Sequence, residues 1–259
     1  MISCFRIYDS DLPSYPFSVD LYGEWVLVKK YRVREPVSAD RDRSLFNTAL
    51  QRIRDLLAIP PSRIIINTVP ATGEKRAGKK SAGKGTREVR EGECRFLIDF
   101  TGRPEQDLPL SRRGLRLMLG SMAEGQNVLH LFGGSGAAAV HAMVNKAHAT
   151  TIVDPSADQI RRAGSNRALN GFGEPLHTAV HEDCLEWLQR TRSRYGLIVV
   201  TPPAAAGEGK NPFRLQQDQV ILIRQAMSRL SRDGALFLYV DHRVFRLDHS
   251  LQSLFAVRD

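Results

Sequence analysis

The sequence predicts an α/β protein in two parts: a doubly wound parallel-sheet domain over residues 106–259, preceded by a small α+β domain over residues 1–105. Three observations predict it. From about residue 106, apolar runs of strand length alternate with segments whose apolar residues recur at three- and four-residue steps. The joints between them are short, as a right-handed strand–helix–strand winding requires. Before residue 106 the texture is different, with β-rich runs around one amphipathic helix.

In the first part, "WVLVKKYRV" and "RIIINTV" read as strands, and "DRSLFNTALQRIRDLLAI" reads as a helix ended by Pro60 and Pro61. The stretch from about 70 to 93, "PATGEKRAGKKSAGKGTREVREGE", has almost no apolar side chains and predicts a mobile hairpin loop. Lys75, Arg76, Lys79, Lys80 and Lys84 make it an arm able to touch phosphates, or else simply a solvated loop. In the second part "LRLMLGSMA", "AAAVHAMVNK", "ADQIRRAGSNRALNGF" and "LQQDQVILIRQAMSRL" predict helices, the third stopped by Gly171. "NVLHLF", "ATTIVDPS", "GLIVVT" and "GALFLYVDH" predict buried strands.

Composition narrows the partners. The chain has 259 residues, 42% of them hydrophobic and 25% charged, and carries a formal net charge of +9. That is ordinary for a globular protein except in its cationic balance, which suits a polyanion such as nucleic acid. Cys4, Cys94 and Cys184 lie in no CxxC or CxxH spacing, so neither a disulfide framework nor a metal site is expected. The N-terminal residues lack a signal-peptide apolar core, and no window is long enough to span a bilayer, so a cytoplasmic location is expected.

The sharpest site is "LHLFGGSGAAAVHA". A strand ends at Phe132, and Gly133, Gly134, Ser135 and Gly136 turn the chain into a helix whose first N–H groups can meet a ligand. Gly134, Gly136 and Ala139 satisfy the dinucleotide fingerprint, a weak signal alone. About 20 residues on, Asp154 ends the next strand, where a carboxylate takes both hydroxyls of a ribose. Loop and acid together predict a bound nucleoside. NAD and S-adenosyl-L-methionine both use this arrangement. Asp183 in "HEDCLEWL", placed to reach an adenine amino group, and Thr201-Pro202-Pro203 at the end of the fourth strand favour S-adenosyl-L-methionine.

These motifs carry a resemblance. "CFRIYDSDLPSYPFSVDLYGEWVLVKKY", "FGGSGAAAVHA", "TTIVDPS", "LNGF", "EDCLEWL" and "FRLQQDQVILIRQAMSRLSRDGALFLYVDH" stand in the order found in the C-terminal half of the bifunctional bacterial large-subunit ribosomal RNA methyltransferases, the half that methylates guanine N7 in 23S rRNA. More distantly the chain is similar to the cytosine-C5 rRNA methyltransferases, but no cysteine lies near Pro202-Pro203 to supply their nucleophile. The resemblance implies a Rossmann-like methyltransferase domain behind an RNA-contacting α+β domain. It implies S-adenosyl-L-methionine as cofactor, held by Phe132, Gly133, Gly134, Ser135, Gly136, Asp154, Pro155, Asp183 and Cys184. Thr201, Pro202 and Pro203 would form the catalytic turn, and the ribosomal RNA (23S) the substrate. Arg112 and Arg113 would grip RNA phosphate or the cofactor carboxylate. The N2-guanine methyltransferase half of the family is absent from this sequence, which implies a separate N2-guanine methyltransferase as partner.

The departures fall on functional positions. The family's aspartate-threonine-glycine, leucine-phenylalanine-leucine and aspartate-histidine-arginine run reads "EQDLPLSRR" at 105–113, keeping Leu108, Leu110 and Arg113. Its glycine loop carries a tyrosine absent from "FGGSG". Its acid-Pro-Pro-threonine-phenylalanine reads Thr201-Pro202-Pro203-Ala204-Ala205, which lacks acid and aromatic, and Phe213 or Tyr239 would have to supply the stacking ring. The sequence stops before the family's last strand pair, so either the domain is truncated or its sheet edge is reduced. The second hypothesis is accordingly a catalytically inactive relative that acts as an RNA-binding or ribosome-assembly protein. A third, a nicotinamide-dependent oxidoreductase, rests on the shared fingerprint alone.

Overall fold

A computed structural model describes residues 3–31, 39–69, 85–100, 107–207, 212–241 and 244–258. The chain divides into two compact units, Met1–Glu105 and Gln106–Asp259.

The first unit is built on a four-stranded sheet in the order β1-β2-β3-β4: β1 (Cys4–Asp9), β2 (Phe17–Tyr22), β3 (Trp25–Tyr31) and β4 (Ile64–Val69). The first three strands are antiparallel neighbours. Strand β4 runs parallel to β3, so a crossover is needed. Helix α1 (Ala39–Leu57) supplies it and lays Phe46, Ala49, Leu50 and Ile53 against Phe17, Val19, Val26 and Val28. Asp20, 1% exposed, lies between two cations: Arg6 donates to it at 2.6 and 3.2 Å, and Lys29 stands at 3.2 Å.

Residues 86–91, assigned by composition to the basic loop, form strand β5 (Thr86–Glu91), which pairs antiparallel with β6 (Cys94–Asp99). Charge density hides the strand in the sequence. Its outward charges are cross-strand partners, with Arg95 donating both a 2.8 Å Nε and a 2.8 Å Nη2 bond to Glu88, while Val89 alternates inward.

The second unit holds five parallel strands in the order β13-β10-β7-β8-β9. They are β7 (Asn127–Leu131), β8 (Ala149–Asp154), β9 (His177–His181), β10 (Tyr195–Val200) and β13 (Leu230–Leu238). A short ribbon of β11 (Ala205–Ala206) and β12 (Phe213–Arg214) lies between β10 and β13 in the chain. Helix α2 (Arg113–Met122) precedes β7. Then α3 (Ala137–Val144) and α4 (Ala157–Leu169) cross over on one face, and α5 (Cys184–Arg190) and α6 (Leu215–Ser228) on the other. Alternate residues of one strand feed the two layers. Val128, Leu197 and Val199 pack with Leu115, Leu119, Ala138 and Ala142, whereas Leu129, Leu131, Ile198 and Val200 pack with Trp187, Leu188, Leu222 and Ala226. A last helix, α7 (His249–Leu254), is capped by Asp248. The winding reverses between β7 and β10, which puts a crevice at their carboxyl ends.

Candidate functional site

Both motifs read from the sequence meet at that crevice. Beyond β7 the chain turns through Phe132 (φ 54°), Gly134 (φ 55°) and Gly136 (φ 77°), all left-handed. Gly133 is demanded by proximity. A Cβ there would stand 2.5 Å from Ile152 Cγ2 and 3.2 Å from the His130 ring. At Gly136 both reasons hold, since a Cβ would also reach 3.0 Å from Ile152 and 3.1 Å from Ala163. Phe132 enjoys no such freedom. A left-handed non-glycine residue costs about 1–2 kcal/mol, and three contacts hold it. Its ring sits 4.8 Å from that of Phe213, its carbonyl accepts a hydrogen bond from Thr201, and the next amide, Gly133 N, donates to Val153 O at 3.2 Å.

Asp154 closes the loop from the next strand. Its Oδ2 accepts from Gly134 N at 2.9 Å and its Oδ1 from Ser156 N at 2.9 Å. Burial raises its pKa, while these two amides pull the other way. Beside the loop, the Gln159 side-chain oxygen is buried without a hydrogen-bond partner among the described residues and lies 3.7 Å from where a Gly134 Cβ would be. Ser135 is clasped from two sides, its hydroxyl donating to Asp107 O and its carbonyl accepting from Asn166 Nδ2 at 3.0 Å. Asp107 in turn pairs with Arg162 at 2.7 Å. Sequence reading missed Asp107, Arg162 and Asn166. Only the family-like "LNGF" pointed near them, because their partners lie 28 to 55 residues away. Pro155 follows Asp154, and its carbonyl lies 3.1 Å from His181 Nε2.

Asp183 and Cys184 begin α5. Asp183 is its N-cap, with Oδ1 accepting from Leu185 N at 2.8 Å and Glu186 N at 3.1 Å. The Cys184 thiol points into the core toward Val153 O, at 3.6 Å. Burial pushes its pKa far up, so the side chain is inert and only its main chain is available to a ligand.

At the end of β10, Thr201 is 3% exposed. Its hydroxyl donates to Phe132 O at 2.8 Å and lies 3.1 Å from His130 Nε2. With the one hydroxyl proton on Phe132, Nε2 must be the donor to Thr201, which leaves Nδ1 as a lone pair. Burial first and Arg112 second push the His130 pKa down to about 3, consistent with a neutral ring. Pro202 is buried and Pro203 exposed. Neither ring expected to replace the missing aromatic is free for a base. Phe213 is 5% exposed and packs on Phe132. Tyr239 lies under Arg112, with its hydroxyl bonded to Ser111 O at 3.3 Å. Trp187 belongs to the core.

Arg112, Arg116, His130, Gly133, Gly134, Ser135 and Thr201 line one cleft that encloses about 40 Å³, room for one or two waters or a small polar group. Arg112 Nε and His130 Nδ1 are both buried there without hydrogen-bond partners among the described residues. Arg113 is half-buried at the start of α2. Lys75, Arg76, Lys79, Lys80 and Lys84, the expected phosphate contacts, lie outside the described residues. Among the described residues no group of three His, Cys, Asp or Glu could hold a metal ion, and no helix is long and apolar enough to cross a membrane.

Comparison with known proteins agrees with this architecture. The chain is 37% identical over its whole length to the ribosomal RNA large subunit methyltransferase K/L of Desulfotalea psychrophila, and 35% identical to that of Pseudomonas paraeruginosa. It spans 36% of the length of each. Among solved structures it is similar in fold to SMU.776 in complex with SAH, with a TM-score of 0.73 at 20% identity over 93% of this chain and 62% of that one. The SAM-dependent methyltransferase of Agrobacterium tumefaciens gives 0.68 at 22% identity over 97% and 76%. Residues 103–241, which carry the glycine loop, Asp154 and the Thr201-Pro202-Pro203 turn, match the family described as conserved hypothetical protein 95, and the chain belongs to that family.

Proposed function

We propose that this chain binds S-adenosyl-L-methionine and methylates a guanine of 23S rRNA at N7. One observation carries the reading: a glycine loop at the switch point of a doubly wound sheet is joined to the acid of the next strand by the 2.9 Å bond from Gly134 N to Asp154 Oδ2. The names of the curated relatives support the substrate.

The residues present fit the cofactor. The unpartnered Gln159 oxygen and the Asp154 carboxylate supply acceptors for ribose hydroxyls beside the loop. Asp183 caps α5 with Oδ1 and offers Oδ2 to an adenine amino group, next to the main-chain N–H of Cys184. Arg112, half-buried in the cleft wall, suits a carboxylate better than an RNA phosphate. When bound, the cofactor supplies a methyl group on a positively charged sulfur. Guanine N7 has its own lone pair, so the chain need not provide a general base. Its work is orientation and exclusion of water, for which the exposed Pro203 beside the buried Pro202 forms a rigid edge. Lys75, Arg76, Lys79, Lys80 and Lys84 would neutralise phosphates of the RNA, met in the cytoplasm.

The test is calorimetric titration with S-adenosylmethionine and S-adenosylhomocysteine, followed by labelled-methyl transfer to unmodified 23S rRNA. Micromolar binding with label recovered as 7-methylguanine is the expected result. A folded protein that binds neither ligand would sink the reading. Binding without transfer would favour the non-catalytic RNA-binding relative, for which the burial of Phe213 is the supporting observation.

A further inference from the structure

Thr201 stands where the resembled family keeps an acid, yet its surroundings point away from a substrate. Its single hydroxyl proton is on Phe132 O, and one of its two lone pairs faces His130 Nε2. The side chain is 3% exposed, and so has neither a proton nor an open face for a base. What it grips is the last residue before the glycine loop, the left-handed Phe132. The His130 ring completes the arrangement. It sits 4% exposed between Thr201 and Gly133, so close that a Gly133 Cβ would be 3.2 Å from it. Strand ends β7 and β10 are thus tied at the loop by a chain that runs from His130 through Thr201 to the Phe132 carbonyl.

We propose that Thr201 and His130 are positioning residues for the cofactor loop: together they hold Phe132 in its left-handed conformation and so set the shape of Gly133–Gly136, and they act on cofactor affinity, not on the base. This rests on the methyltransferase reading above. It predicts a division of effects that base-holding would reverse.

The experiment compares the wild-type chain with Thr201→Val, which keeps the shape and removes both hydrogen bonds, and Thr201→Ser, which keeps the hydroxyl. S-adenosylhomocysteine affinity is read by calorimetry, and KM for 23S rRNA at saturating S-adenosylmethionine by methyl transfer. Thr201→Val is expected to weaken S-adenosylhomocysteine at least tenfold with the RNA KM unchanged, and Thr201→Ser to return to within about threefold of wild type. Nitrogen NMR of His130 should show a protonated Nε2 and a bare Nδ1 in the wild type, and a mixed tautomer in Thr201→Val. Unchanged S-adenosylhomocysteine affinity in a folded Thr201→Val, or a raised RNA KM with normal cofactor binding, overturns the proposal. If Thr201→Val does not fold, His130→Phe is read in its place: a loss of affinity of at least threefold is expected, and none overturns it. A folded wild-type chain that takes no S-adenosylhomocysteine sinks the methyltransferase reading and this inference together. Wild-type binding with an indifferent variant sinks the inference alone.

Discussion

The two units differ in how fully their buried polar groups are satisfied. In the first, the buried carboxylate of Asp20 is shared by Arg6 and Lys29. The second pairs Asp107 with Arg162 in the same way, but six of its buried side-chain polar atoms have no partner among the described residues, and three of them, Arg112 Nε, His130 Nδ1 and Gln159 Oε1, lie beside the glycine loop. An unsatisfied buried donor or acceptor costs about 1–3 kcal/mol. Three of them around one loop mark the place where the fold gives up stability to stay receptive. In the first unit these charges are closed on each other, as a structural core requires.

The contrast can be broken most severely at Asp20. Asp20→Ala removes the carboxylate that both cations share and should destabilise the first unit by about 3–5 kcal/mol. Denaturant unfolding measures the loss, and S-adenosylhomocysteine affinity should stay within twofold of wild type. At Asp154 the expected sensitivity is reversed. Asp154→Ala should lower cofactor affinity about 100-fold, equivalent to about 2.7 kcal/mol, with circular dichroism unchanged. Equal affinity in that variant would mean that the ribose is held elsewhere.

Gly133→Ala comes next, at about 2 kcal/mol of destabilisation, because the new methyl meets Ile152 at 2.5 Å in a packed wall. A thermal melt superimposable on wild type would show that the wall yields. A further effect is graded with pH and is small only near neutral pH. His130 has its pKa pushed down to about 3 by burial and by Arg112, with Arg116 lining the same cleft. The unfolded chain therefore binds this proton first. Stability due to the neutral ring is complete above the ordinary histidine range. It falls by up to about 1.4 kcal/mol per pH unit as pH drops from about 6.5 toward 3. Asp154, raised by burial, works in the opposite sense and partly masks the slope. The difference between wild type and His130→Gln isolates it, and parallel pH–stability curves would remove His130 as the cause.

Most of the second unit was legible because its signals are local. Apolar runs with short joints marked β7, β8, β10 and β13 among the five parallel strands, and the spacing of Gly134 and Asp154 pointed to a loop and an acid that the structure joins. What was illegible depends on distant partners or on the direction of one side chain. Strand β5 reads as a charged loop until Arg95 is seen to pair diagonally across the ladder with Glu88. The clasp of Asp107, Arg162 and Asn166 on Ser135 has no local signature. Phe213 and Thr201 stand near the right motif, yet both are turned inward, and composition cannot tell a ring or hydroxyl that faces a ligand from one that faces the core.

The joining of Thr201 to His130 has a consequence for how such a site can change over time. Two residues 71 positions apart in the chain share one buried hydrogen bond, so loss of the hydroxyl at 201 leaves the imidazole without its partner, and loss of the imidazole leaves a lone pair of the hydroxyl unused. An aspartate at 201 would set a carboxylate against the Phe132 carbonyl and draw a proton onto the imidazole. It would not restore the acid turn of the resembled family in this background. Positions 130 and 201 should therefore evolve as a linked pair. In a double-mutant cycle over Thr201→Asp and His130→Gln, this epistasis appears as a coupling of about 0.5–3 kcal/mol, and strict additivity would show that each residue can drift alone.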